Sequence, residues 1–337
     1  MSTVRSIVPG VVVRRRQLAL LAAGAAALGA GVVRAQGAGD FPNRPIRFIL
    51  PWPAGGAGSD PISRAIAREM EKVLGQSVVV DNRPGATGTI GSEMARRAPA
   101  DGYTIVFANT LSHSLQHITN KSLPYDPLRD FVPVGLISTL PLGLMIHPSV
   151  PARDWPEFLA WARRNPGRLN MASPGVGTAA HFFGLLLRQR TGIDLTLVPY
   201  QGDSLALNGF LAGHTQVWLS GVNLQMVKEG KMRPLATAGT SRWYKLPDVP
   251  TMAELGMPDF VAVSVSGIAA PAGTPEPVLT RLQAALVHAL GTPEVSGLLD
   301  TLGFVRGNGS PRDFWRLLEQ TTQQFRAVAE ANKLVFD

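Results

Sequence analysis

The feature that most constrains this chain is a strand-like run that breaks into a glycine-rich turn and passes straight into a helix. Ile46-Arg47-Phe48-Ile49-Leu50 is short and apolar, as a buried strand is. Pro51-Trp52-Pro53-Ala54-Gly55-Gly56-Ala57-Gly58-Ser59-Asp60 follows, and Pro61 to Met70 keeps helical spacing toward a stop at Gly75. Asp60 is placed to cap that helix, with Pro61 at its first position. Glycines let backbone N–H groups approach a bound group, and a helix N-terminus adds the positive end of its dipole. The turn reads either as an anion cradle or as a turn that needs glycine on steric grounds alone. It lacks the Gly-Lys-Ser/Thr ending of a nucleotide loop, and its glycine spacing does not fit the dinucleotide fingerprint.

With 337 residues the chain can build two cores. Strand-like and helix-like runs alternate along it, which predicts α/β layers. The net charge is +8, but residues 1–35 supply +5 of it through Arg5, Arg14, Arg15, Arg16 and Arg34 without one acid. The remaining +3, with no basic run interleaved with aromatics, gives no nucleic-acid groove. Arg14-Arg15-Arg16, a mildly apolar stretch from Leu18 to Val33 and the small residue Ala35 together have the order of a cleaved export signal. Twin-arginine and general secretory routes both remain open. A mature protein beginning near Gln36 in the periplasm is expected. There is no cysteine, which excludes a lipoprotein anchor, disulfides and thiolate chemistry.

Further on, Ser77–Val80 and Tyr103–Phe107 read as strands around a helix from Thr89 to Arg97, giving a βαβαβ unit with a parallel sheet. Ligands gather at the carboxyl ends of such strands, here the first glycine-rich turn, Asp81–Gly88 and Ala108–His113, which includes Asn109. His113 and His117 stand four apart, but no H-E-x-x-H pattern accompanies them and no metal is assigned. Strands are expected at Phe131–Ile137 and Gly143–Ile146, and a capping box at Asp154–Glu157 before a helix ended by Asn165-Pro166-Gly167. A second glycine-rich turn, Asn170 to Thr178, then leads into a helix from Ala179 that stops at Gly192. Its Ser173 and Thr178 hydroxyls sit where an anion could bind. Strands follow at Leu195–Tyr200, Thr215–Leu219 and Arg233–Ala238, with a helix at Leu205–Ala212. The tail offers a returning strand at Phe260–Ala270 and two helices, from Thr274-Pro275 and from Ser310-Pro311.

These turns, taken with Asp101-Gly102-Tyr103-Thr104, Leu123-Pro124-Tyr125-Asp126-Pro127, Val198-Pro199-Tyr200, Leu246–Thr251 and Ala270–Pro275, carry a resemblance. In this order they resemble the extracytoplasmic solute receptors of tripartite tricarboxylate transporters, the Bug family, from about Phe41 to the C-terminus. The resemblance implies a type II periplasmic-binding-protein fold, two α/β domains joined by crossover strands around a ligand cleft. Domain 1 would comprise 41–139 and 262–337, and domain 2 would comprise 140–261. The ligand would be a small organic acid, with amino acids and aromatic acids bound by some members. One carboxylate would be held by Ala54, Gly55, Gly56, Ser59 and Asp60 with ordered water, and the opposite wall by Ser173, Gly177, Thr178 and His181. Asp203 lies in a loop that the family usually fills with glycine and small residues. Gln216 and Ser220 are uncharged where members often carry Asp, and Val265-Ser266 replaces an aromatic. The partner would be the transporter's membrane subunits or, alternatively, a sensor protein, and a monomer with no cofactor is expected. An enzyme reading through Ser173, His181 and Asp203 lacks a G-x-S-x-G elbow, and no catalytic residue is assigned.

Overall fold

The computed structural model describes residues 41–55 and 58–336. The export-signal reading of residues 1–35, and Gly56, lie outside the described residues.

Two sheets organise the chain. The first begins with β1 (Ile46–Leu50), β2 (Val78–Asn82) and β3 (Thr104–Asn109), and β1 pairs in parallel with both others. Between them run α1 (Ser59–Leu74) and α2 (Thr89–Arg96), the crossovers that a parallel pairing requires. The expected βαβαβ unit is therefore present. The antiparallel strands β4 (Phe131–Pro141) and β10 (Val263–Pro271) extend it, with the short β11 (Val305–Arg306) at the edge. The order is β11-β4-β10-β3-β1-β2.

The second sheet contains β5 (Gly143–Ile146), β6 (Leu169–Ser173), β7 (Leu195–Pro199), β8 (Val217–Ser220) and β9 (Arg233–Thr237), in the order β7-β6-β8-β5-β9. Here β6 pairs in parallel with β7 and β8, and β5 is antiparallel to β8 and β9. The sheets thus repeat one plan, a parallel trio followed by antiparallel strands. In each, the central strand of the trio (β1, β6) feeds a glycine-rich turn and a helix. That correspondence left no trace as a sequence repeat.

Alternation along the strands sorts side chains to two faces. Leu144, Ile146, Val217 and Leu219 enter one core of the second sheet, with Phe182, Phe183 and Leu186 of α5 (Ala179–Thr191). Met145 and Trp218 enter the other, with Phe210 of α6 (Asp203–Leu211). The remaining α-helices among the described residues are α3 (Gln116–Thr119), α4 (Trp155–Arg164), α7 (Leu224–Lys228), α8 (Glu276–Gly291), α9 (Pro293–Thr301) and α10 (Pro311–Ala331). Helix α10 serves both sheets. Its Phe314 and Leu318 pack with Ile49, Val106 and Leu136, whereas Phe325 and Val328 pack with Phe182 and Phe183.

Three segments pass between the sheets, and they are tied to one another. Leu142 N–H donates to Ala262 O at 2.9 Å, Ala238 N–H to Leu142 O at 2.8 Å and Ala262 N–H to Ala238 O at 2.8 Å. This satisfies backbone groups that would otherwise be buried without partners.

Several local expectations are corrected. Gly58, not Asp60, occupies the N-cap of α1, and no side chain caps it. In the α4 capping box Asp154 accepts from Glu157 N–H at 2.9 Å, but Glu157 reaches back to Arg153 N–H rather than to Asp154. Helix α6 starts at Asp203 rather than Leu205, and α9 had not been anticipated.

Candidate ligand-binding site

A cleft of about 540 Å³ opens between the carboxyl ends of strands from both sheets. The second glycine-rich turn forms one wall with Pro174, Val176, Gly177 and Thr178, continued by Ala179, Ala180 and Phe183 of α5. Asp203, the first residue of α6, joins them. The opposite wall holds Thr87, Thr110, Leu111, Leu115, Gln116 and Thr119. Leu142, Val263 and Ser264 from the crossing segments, Ser220 from the end of β8, and Phe336 complete it. Asp203 is the one titratable side chain among these lining residues, and no Lys, Arg or His is among them.

The α5 turn is built from its own hydroxyls. Thr178 is the N-cap, accepting from His181 N–H at 3.4 Å and donating to Gly175 O at 2.8 Å. Ser173 is fully buried and donates to Gly175 O at 3.0 Å. Both hydroxyls hold the turn, and of the first helical turn the N–H groups of Ala179 and Ala180, residues that line the cleft, are left without an acceptor among the described residues. Gly177 has φ of +80°, and a Cβ there would stand 3.3 Å from the Phe336 ring. His181 is largely buried behind the turn, its ring edge-on to Phe182 at 6.3 Å. Burial, with a contribution from Arg188, lowers its pKa, which favours the neutral ring.

On the opposite wall the chain leaves β3 through one π-helical turn, Leu111–Leu115, a form concentrated at functional sites. Asn109 builds it, its Oδ1 accepting from Ser112 N–H at 3.0 Å and from Ser112 Oγ at 3.1 Å. Tyr125 Oη donates to Ser112 O at 2.8 Å. His113 is fully buried against Phe131, with ring centroids 4.9 Å apart, and burial lowers its pKa to about 3. Next to this turn, Gly85, Ala86, Thr87 and Gly88 form an unbroken run of positive φ. Gly88 has φ of +91°, which favours glycine, and a Cβ there would stand 3.0 Å from Ser112 Cβ. Thr87, at φ 54° and ψ 37°, is β-branched in a region that such residues avoid.

The first glycine-rich turn is arranged differently. Asp60 is only 6% exposed, and its Oδ2 accepts from Gly55 N–H at 3.0 Å and Arg64 Nε at 3.1 Å. Its Oδ1 accepts from Asn82 Nδ2 at 3.0 Å. Burial acts to raise the pKa of Asp60, but these hydrogen bonds and the Arg64 charge outweigh it and hold the carboxyl below its ordinary value. Gly55 and Asp60 line a separate, open groove with Arg64, Arg68, Glu294 and Leu298. Of the residues expected at the site, Gly177, Thr178 and Asp203 line the cleft. Ser173 and Asn109 shape its walls, His181 lies behind it, and Ala54 and Ser59 are not among its lining residues. Thr87 and Leu111 fall in the strand-end segments Asp81–Gly88 and Ala108–His113, and Ser220 is one of the positions set apart by the resemblance, whereas Leu115, Gln116 and Phe336 went unrecognised as cleft residues in the sequence.

Comparison with known proteins gives a consistent result. The sequence pattern described as "Tripartite tricarboxylate transporter family receptor" matches residues 62–334. Protein BugT of Bordetella pertussis is 34% identical over 269 residues, covering 79% of this chain and 82% of BugT. The periplasmic binding protein BugD superimposes with a TM-score of 0.67 at 29% identity, covering 88% of this chain and 100% of BugD. MatC from Rhodopseudomonas palustris, solved with bound malate, gives 0.66 at 30% identity over 86% of this chain and 99% of MatC.

Proposed function

Since the chain belongs to the tripartite tricarboxylate transporter receptor family, we propose that it captures a small organic acid outside the cytoplasmic membrane and hands it to that transporter's membrane subunits. In this reading residues 1–35 are the export signal, and residues 41–139 with 262–337, and 140–261, are two lobes that meet at the cleft. The protein acts by binding and release, as a monomer.

The observation that carries the proposal is the start of α5, whose first-turn amides form part of the cleft wall. A carboxylate there gains the helix dipole, worth about 0.3–2 kcal/mol, and charge-assisted hydrogen bonds of about 1.5–3 kcal/mol each. Micromolar affinity corresponds to about 8 kcal/mol, within reach of a few such contacts and apolar burial. The malate bound by MatC supports a carboxylate as the ligand class. Asp60 holds Gly55 and, with it, the first glycine-rich turn; a role of that turn at the ligand would run through amides rather than through the committed carboxylate.

Titration calorimetry of the mature chain with succinate, malate, aspartate, leucine and 4-methylpentanoate tests this. Binding of at least one, weakened tenfold or more in Gly177→Val with the fold intact by circular dichroism, is the expected result. Wild-type affinity in Gly177→Val, or no binding of any of the five, would overturn it.

A further inference from the structure

The charge pattern of the cleft is unusual for a site that takes an anion. Its lining residues include no cation, and their one titratable side chain is itself an acid. Asp203 is exposed toward the cleft and is the first residue of α6. Its carboxylate forms no hydrogen bond or ion pair with any described residue, and burial is the single influence on its pKa, raising it.

Its position relative to the α5 turn is fixed by the backbone. Tyr200 N–H donates to Ser173 O at 2.8 Å, and Gly202 N–H donates to Pro174 O at 3.0 Å. The turn that starts α6 is thereby stitched along the turn that starts α5. A carboxylate and a set of carboxylate-binding amides thus stand side by side on one wall. A ligand bearing only negative charge would bring like charge against Asp203 in a partly desolvated cleft, which is unfavourable. A hydroxyl would give Asp203 a hydrogen bond but leave its charge uncompensated. An ammonium group close to the ligand carboxylate answers both.

We propose that the ligand is a zwitterion of the amino-acid type, its carboxylate on the amides of Gly177, Ala179 and Ala180 and its ammonium group on Asp203. The inference rests on the carboxylate-binding reading of the cleft. Leu111, Leu115, Phe183 and Val263 then receive the remainder of the ligand, which is apolar over at least part of its length.

Two sets of probes isolate the ammonium group. Succinate, malate and aspartate differ in bearing hydrogen, hydroxyl or ammonium on one carbon, and 4-methylpentanoate differs from leucine by the ammonium alone. Titration calorimetry is expected to show the amino member of a binding set at least tenfold tighter than its unsubstituted partner. Asp203→Asn should remove that preference by weakening the amino member tenfold or more. Asp203→Glu, which keeps the charge, should retain the preference, and unchanged unfolding temperatures establish that both variants fold. If the unsubstituted acids bind as tightly as the amino acids, or if Asp203→Asn leaves the preference intact, the inference is wrong and the carboxylate reading stands. If none of the five compounds binds, the carboxylate reading fails and the inference falls with it.

Discussion

Trp243 donates its indole Nε1–H to the carbonyl of Gly303 at 3.0 Å, joining the segment after β9 to the turn before β11. Its neighbours repeat the connection. Tyr244 Oη donates to Phe304 O at 3.1 Å, and Lys245 pairs with Asp300 at 3.1 Å. Trp243 is 2% exposed, so its N–H has to find a protein partner, whereas the Lys245–Asp300 pair, with Asp300 exposed and Lys245 partly so, contributes little.

Trp243→Phe keeps most of the apolar packing and leaves the Gly303 carbonyl without its donor. The expected loss is about 1–3 kcal/mol in denaturant unfolding, against about 3–5 kcal/mol for Trp243→Ala. A Phe variant as stable as wild type would show that the bond contributes nothing.

Thr87→Gly should make the protein more stable. Relief of a left-handed non-glycine residue is worth about 1–2 kcal/mol, and the added freedom of the unfolded chain offsets about 0.5–1 kcal/mol of it. A net gain of up to about 1.5 kcal/mol in urea unfolding is expected. Because Thr87 lines the cleft, the same variant should bind more weakly in calorimetry if its side chain meets the ligand. A drop in stability would contradict the account of strain.

Thr178→Val tests the cap rather than a direct ligand contact. The hydroxyl already bonds Gly175 O and His181 N–H, so its loss should cost about 0.5–2 kcal/mol of stability. Any loss of affinity should follow from loosening of the turn. An unchanged unfolding free energy would remove Thr178 from this role.

His113 gives a pH dependence of definite sign. Its folded pKa of about 3 lies below the unfolded value of about 6.5, so the unfolded state takes up the proton first as pH falls. Stability associated with the neutral ring is complete above pH 6.5 and declines below it by roughly 1.4 kcal/mol per unit. Urea unfolding at pH 7 and pH 5.5 should show wild type losing about 1–2 kcal/mol more than His113→Gln. Parallel losses would exclude the imidazole as the cause.

Much of the fold was legible because its signals are local. The run Ile46–Leu50 is β1 as read, Gly75 and Gly192 end their helices in left-handed conformations, and Ser310 caps α10 by accepting from Asp313 N–H. Asp60 misled for a non-local reason. Its local pattern is that of a cap, but Asn82 and Arg64 compete for the carboxylate, and Asn82 is brought there by the β1–β2 pairing. The cleft was legible on the α5 side, where one continuous turn carries it. Its other wall depends on a π-helical turn after β3, and Phe336, stacked on Phe182 beside Gly177, joins the α5 wall because α10 crosses to the second core. Neither has a periodicity to read.

The two-sided packing of α10 bears on how the cleft can change. One stiff helix is glued at its N-terminal half to one core and at its C-terminal half to the other. Pulling the sheets apart would strip Phe314 or Phe325 of its neighbours, at about 1.5–3 kcal/mol for each such side chain. Motions that preserve both contacts are twists about the helix axis or slight bends along it. The helix thus acts as a torsion bar, and the three bonded segments at Leu142, Ala238 and Ala262 supply the pivot. A wide hinge-like gape between the sheets is therefore opposed by the contacts at both ends of this helix.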